Sequence, residues 1–163
     1  MKRLLILLLS FLTLGCEKRQ TFEEMKMNFE KNKHTFSELQ SFVCEMGKVE
    51  QPFRYFDGSF VYSISLPKRE NVPIIEYLDE RLSKIGATSI RFKKGENVDC
   101  TLKIQLYVAG FAGSGVSFDY KYNVENPNSP REQGFTLEHL PEKGPVQFDE
   151  PIANGWYLSF YRN

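Results

Sequence analysis

Three side chains in this sequence are of the types that assemble a hydrolytic nucleophile: Ser114, His139 and Asp149. In such a triad the histidine takes the serine proton and the carboxylate holds the imidazole in one tautomer, so all three must meet within hydrogen-bond reach. Ser114 lies between Gly113 and Gly115, but Ala112 and Val116 stand where a nucleophile elbow has its glycines. The only other histidine is His34, and no two histidines or cysteines fall at zinc-ligand spacing. Glu138 and His139 are adjacent, which on a strand sends them to opposite faces. The run Gly110-Phe111-Ala112-Gly113-Ser114-Gly115 has the glycine content of a phosphate loop. Such a loop needs a strand before it and a helix after it, whose N-terminus faces the phosphates. Here the segment from Val116 alternates as a strand does, and the Lys-Ser/Thr ending is missing. The run therefore reads as a hairpin between two long strands, and no metal or cofactor is expected. A hydrolase using Ser114 ranks behind binding functions.

The elements that would position these residues follow from hydrophobic period. Val98, Cys100, Leu102, Ile104, Leu106 and Val108 alternate with Asp99, Thr101, Lys103, Gln105 and Tyr107, so one face of that strand is buried and the other wet. Val116 to Val124 repeats the pattern, with Phe118, Tyr120 and Tyr122 inward and Ser117, Asp119, Lys121 and Asn123 outward. Phe60 to Leu66, Ser89 to Phe92, Phe135 to Leu137 and Trp156 to Tyr161 are further strand candidates. Upstream, Thr21 to Gly47 is amphipathic at helical spacing: Phe22, Phe29, Phe36 and Val43 recur every seven residues, with Met25, Leu39 and Met46 offset by three. Thr21 and Glu24 make a capping box, Gly47 stands at the C-cap, and Asn32 interrupts the second row. Thr35 and Glu38 mark a break near His34-Thr35-Phe36. The heptads are too few for a sustained coiled coil, so the helix is expected to pack on the chain's own sheet. Asn71, Pro73 and Gly86 bound a second helix whose apolar face is Ile74, Leu78, Leu82 and Ile85. The expectation is an α+β domain: an antiparallel meander of about five to six strands, covered by the N-terminal helix and the second helix. Asn126 to Asn154 holds five prolines and reads as irregular, with at most an edge strand near Phe135.

The first residues carry an address. Lys2 and Arg3 precede an apolar run from Leu4 to Leu12, too short for the roughly 20 residues that span a bilayer. Leu12-Thr13-Leu14-Gly15-Cys16 closes it. This resembles the signal of a bacterial lipoprotein, which implies that residues 1–15 are removed and that Cys16 is lipidated. Residues 16–20 would then be the tether and 21–163 the single domain. Glu17, not Asp, follows the cysteine, which in a Gram-negative host points to the outer membrane, facing the periplasm. That compartment is oxidising, so Cys44 and Cys100 read as a disulfide, two buried free thiols being the alternative. A bridge there would close 55 intervening residues and add roughly 3–4 kcal/mol.

Without Lys2 and Arg3, 19 of the 21 basic residues remain against 21 acidic ones, a net charge of −2, and nothing suggests a nucleic-acid partner. The chain has 14 Phe and 8 Tyr. In the terminal strand Trp156, Leu158 and Phe160 alternate with Tyr157, Ser159 and Tyr161, which leaves two tyrosines outside if the first set is core. Exposed tyrosines suit protein interfaces. Phe111, Ser114, Tyr157 and Tyr161 are accordingly the candidate binding surface. The glycine-rich turn into Val116-Ser117-Phe118-Asp119-Tyr120-Lys121-Tyr122, with Asn154-Gly155-Trp156-Tyr157-Leu158, resembles small envelope lipoproteins of uncharacterised function, and that resemblance implies no catalytic residue. The expected function is non-catalytic: a lipid-anchored protein-binding module, such as a toxin immunity or inhibitor protein. The alternative is a small-molecule carrier or sensor with a cavity between helix and sheet.

Overall fold

The computed structural model describes residues 21–48, 59–64, 73–111, 114–136 and 139–163. The leader, Cys16, the tether, Asn71 and Leu137 lie outside them. Among the described residues, three helices pack on one antiparallel sheet of six strands, an α+β fold. The helices are α1 (Phe22–Lys31), α2 (Lys33–Lys48) and α3 (Pro73–Lys84). The strands are β1 (Phe60–Ser63), β2 (Ser89–Lys93), β3 (Thr101–Phe111), β4 (Ser114–Tyr122), β5 (Val146–Ala153) and β6 (Trp156–Arg162). Their order across the sheet is β1-β2-β3-β4-β6-β5.

The capping box forms as expected: the Glu24 amide donates to Thr21 Oγ1 at 3.1 Å and the Thr21 amide to Glu24 Oε2 at 2.8 Å. The break between α1 and α2 comes at Asn32, ahead of the expected His34-Thr35-Phe36. The Asn32 side chain donates back to the Asn28 carbonyl and side chain, offering the backbone a local alternative to helix. Thr35 is buried inside α2 instead of capping it. Gly47 is not a C-cap either, since α2 continues to Lys48. A Cβ at Gly47 would stand 2.2 Å from the Phe92 ring, so glycine is what lets α2 lie on β2. In α3 the core face is Ile75, Leu78 and Leu82, continued by Ile85 just past its end; Ile74, expected on it, is only partly buried.

The core lies between helices and sheet. Phe36 from α2 meets Phe29, Tyr120 and Trp156 at ring separations of 4.8, 4.6 and 5.2 Å. Phe22 from α1 reaches Phe118, Phe148 and Phe160. Tyr120 adds a polar tie, donating to the Met25 carbonyl at 2.7 Å, and its phenol is pushed well above the usual range by burial. Cys44 and Cys100 are bonded, with Cα atoms 5.5 Å apart, clamping α2 to the residue before β3.

Two strand readings are corrected. Alternation along β3 holds through Leu106, which is buried in the core, but the bulge between Gln105 and Tyr107 then reverses it. Beyond it Tyr107 packs toward Phe118, and Val108 is 61% exposed on the opposite face. Secondly, the edge strand is Val146–Ala153, while Phe135 and Thr136 are in no strand. Val146 and Phe148 face the core, and Pro151 is tolerated because β5 is an edge. The meander ends at β4, because β5 lies outside β6 and the long connection from residue 123 to 145 carries the chain to the far edge. Asn154 and Gly155, both at positive φ, make the tight turn from β5 into β6.

Candidate binding face

All three described helices lie on one face of the sheet, and the other face is built from cross-strand rows. In one row Arg91, Lys103, Lys121 and Tyr157 stand opposite one another in turn on β2, β3, β4 and β6. The next holds Ser89, Gln105, Asp119, Ser159 and Asp149. Past the bulge, a third holds Val108, Ser117, Tyr161 and Gln147.

Asp119 and Asp149 are buried although they belong to this helix-free face; the expectation of a wet Asp119 fails. Lysines from the first row compensate them. Lys103 Nζ lies 3.0 Å from Asp119 Oδ2, and Lys121 Nζ lies 2.8 Å from Asp149 Oδ1. Ser117 Oγ donates to Asp119 Oδ2 at 3.1 Å, and the Asn128 amide donates to Asp149 Oδ2 at 3.1 Å. Asp119 Oδ1 has no hydrogen-bond partner among the described residues. Burial raises the Asp119 carboxyl above its ordinary range, and Lys103 and Ser117 only partly oppose that shift.

The residues expected to form a binding surface are brought to this face in part. Tyr161 is 41% exposed on it, and Tyr157 is half-buried on the same face four residues back. Phe111 and Ser114 are backbone partners at the end of the β3–β4 hairpin; their side chains lie outside the described set. The Ser114–His139–Asp149 combination does not assemble. Both oxygens of Asp149 are engaged by Lys121 and Asn128, and Ser114 lies five residues along β4 from the row containing Asp149, about 17 Å at strand rise. His139 sits in an exposed loop against Thr136. His34 lies beside Glu38 on the solvent side of α2. Among the described residues no three His, Cys, Asp or Glu side chains are grouped to hold a metal ion.

Sequence reasoning missed Val108, because the bulge that turns it outward has no signature in side-chain alternation. It also missed the two buried ion pairs, which depend on the register of β3 with β4 for one and of β4, β6 and β5 for the other. Concavities adjoin this framework. A groove of about 390 Å³ runs over Arg91, Lys103 and Lys121, and a recess of about 440 Å³ lies where α2 meets Cys100 and Asn123. Comparison of the chain with protein-family models, with curated proteins and with solved structures gives no match.

Proposed function

We propose that this chain is a lipid-anchored protein of the bacterial cell envelope, held at the outer membrane through Cys16, whose domain binds a partner protein in the periplasm. The binding surface is the helix-free face of the sheet, and the function is recognition, not catalysis. Neutralising a toxin that enters the envelope is the role that a tethered domain of this size suits. One observation carries the reading: Val108 and Tyr161, 61% and 41% exposed, sit in the same cross-strand row on a face no described helix covers. An apolar side chain and a tyrosine presented together by a rigid sheet give contact area at low entropic cost. A carrier would instead use the recess beside Cys100; the helix–sheet interior itself is occupied by the rings of Phe29, Phe36, Tyr120 and Trp156, which favours the face.

A photo-crosslinking residue at Tyr161, expressed in cells, tests this. A discrete adduct is expected, absent when the probe replaces exposed Glu76 on α3 and weakened by Val108→Asp. Equal adducts from both positions would refute the face as an interface. For the address, Cys16→Ser should abolish lipid labelling and release the chain from the membrane fraction; unchanged fractionation would contradict it.

A further inference from the structure

We propose that the groove over β2, β3 and β4 is a binding site for a small ligand carrying two or more negative charges as phosphate groups. This does not depend on the protein-binding reading, which concerns the Val108–Tyr161 end of the face. The cationic row points to an anionic ligand. Arg91, Lys103 and Lys121 are direct neighbours on three adjacent strands, an arrangement in which like charges repel and destabilise the sheet. Asp119 and Asp149 offset Lys103 and Lys121, but among the described residues Arg91 has no acidic partner. Lys93, on the same face of β2, and Lys94 likewise form no ion pair with a described residue. A chain of zero formal net charge thus places five cations around one concavity, against the carboxylates of Glu96 and Glu125.

The groove is also closed at one end. Its end wall is the turn between β2 and β3, where the Gly95 amide donates to the Val98 carbonyl at 3.0 Å. The Asn97 amide donates to Glu125 Oε1 at 2.7 Å, joining that turn to the segment after β4 and occupying one of the two acids. A Cβ at Gly95 would lie 2.5 Å from the same Glu125 oxygen, so a larger residue there would displace the Glu125 side chain from this position. The volume of about 390 Å³ lies within the range of small-ligand sites, and Tyr122 and Val124 supply wall for an organic moiety. Several lysines as point charges beside one arginine fork suit the dispersed charge of phosphates better than a single planar carboxylate.

The phosphate could belong to a soluble ester or to a lipid headgroup, and one experiment separates them. The full chain in neutral detergent micelles is titrated calorimetrically with inorganic pyrophosphate at constant ionic strength. Saturable binding is expected, weakened about tenfold or more by Arg91→Glu with Lys93→Glu, since each removed cation costs a charge-assisted contact. Lys84→Glu, exposed on α3, should change the affinity less than about twofold. Micelles doped with cardiolipin, whose headgroup carries two phosphodiesters, form the second arm: competition with pyrophosphate supports the site with a headgroup as ligand, and no competition supports it with a soluble ester. Absence of pyrophosphate binding, or equal binding by a double variant whose urea midpoint is unchanged, overturns the proposal. Arg91→Gln with Lys93→Gln carries the same test if the charge reversal unfolds the chain.

Discussion

On the helix side of the sheet, Phe118, Tyr120, Phe148, Leu158 and Phe160 are shielded from water by rings and aliphatic chains. On the other side, their neighbours Ser117, Asp119, Asp149 and Ser159 are nearly as buried, yet they carry hydroxyls and carboxylates. The same strands therefore run between two kinds of interior. The first is held by non-directional burial, on the order of 2–3 kcal/mol for each large side chain. The second is held by directional contacts, Lys103 to Asp119 and Lys121 to Asp149, whose attraction must first offset the cost of removing charges from water. Such pairs add little net stability over an apolar filling, but losing one member is severe. The helix side thus sets how stable the domain is, and the open side sets which register the strands adopt and which groups are presented to a partner.

The largest effect should come from the helix side. Phe36 is fully buried among Phe29, Tyr120 and Trp156, so Phe36→Ala is expected to lower the unfolding free energy by about 4 kcal/mol in urea titration. The open side should answer next. Asp149→Ala strips Lys121 and the Asn128 amide of their shared acceptor and is expected to cost about 3 kcal/mol. If the ionic description holds, adding Lys121→Ala to that variant recovers part of the loss, because no uncompensated charge then remains. Additive losses in the double variant would mean that Lys121 contributes through packing alone.

The two faces also differ in how well a linear chain announces them. Burial under helices imposes period two on β4 and β6 and period 3.6 on α1 and α2. Phe118, Tyr120, Trp156, Leu158 and Phe160 could therefore be read from spacing, as could the row from Met25 to Met46. The disulfide was legible too, from an even pair of thiols and a compartment inferred from the leader. The open face carries no such period. Asp119 looks like any outward residue until Lys103 is placed beside it, and that placement requires the register of β3 against β4. Val108 follows a bulge, where one extra residue reverses every later side chain without changing composition. Asn154-Gly155 was a hairpin signal that could have located β5, but the prolines of the preceding segment argued for irregular chain, and only the edge position reconciles Pro151 with a strand.

Asp119 gives the comparison a dependence on pH. Its carboxyl is raised above the ordinary 3.8 by burial, so the native state holds this proton to a higher pH than the unfolded chain does. Its contribution to stability is complete below the unfolded value and falls as pH rises through the raised native value, by about 1.4 kcal/mol for each unit separating the two. Asp119→Asn removes that titration. The stability of the variant relative to the parent should therefore be greater near neutrality than at pH 3, measured by urea unfolding at both. A difference that is flat with pH would mean that Lys103 and Ser117 fully compensate the burial.

The smallest expected effect is the one that tests which interior Val108 belongs to. Val108→Thr replaces a methyl with a hydroxyl at almost constant shape, so its cost depends on whether water or neighbouring polar groups can reach the new oxygen. On the open face beyond the bulge, at 61% exposure, the hydroxyl stays hydrated and the change should lie within about 0.5 kcal/mol. Ile104→Thr, four residues earlier and fully buried on the helix side, removes apolar volume and buries a hydroxyl among hydrocarbon, so it should cost about 2 kcal/mol or more. Had the alternation of β3 run on unbroken, the two positions would share a face and both substitutions would be expensive. Comparable losses at 104 and 108 would therefore remove the bulge, return Val108 to the core, and take from the open face the apolar half of the surface assigned to a partner.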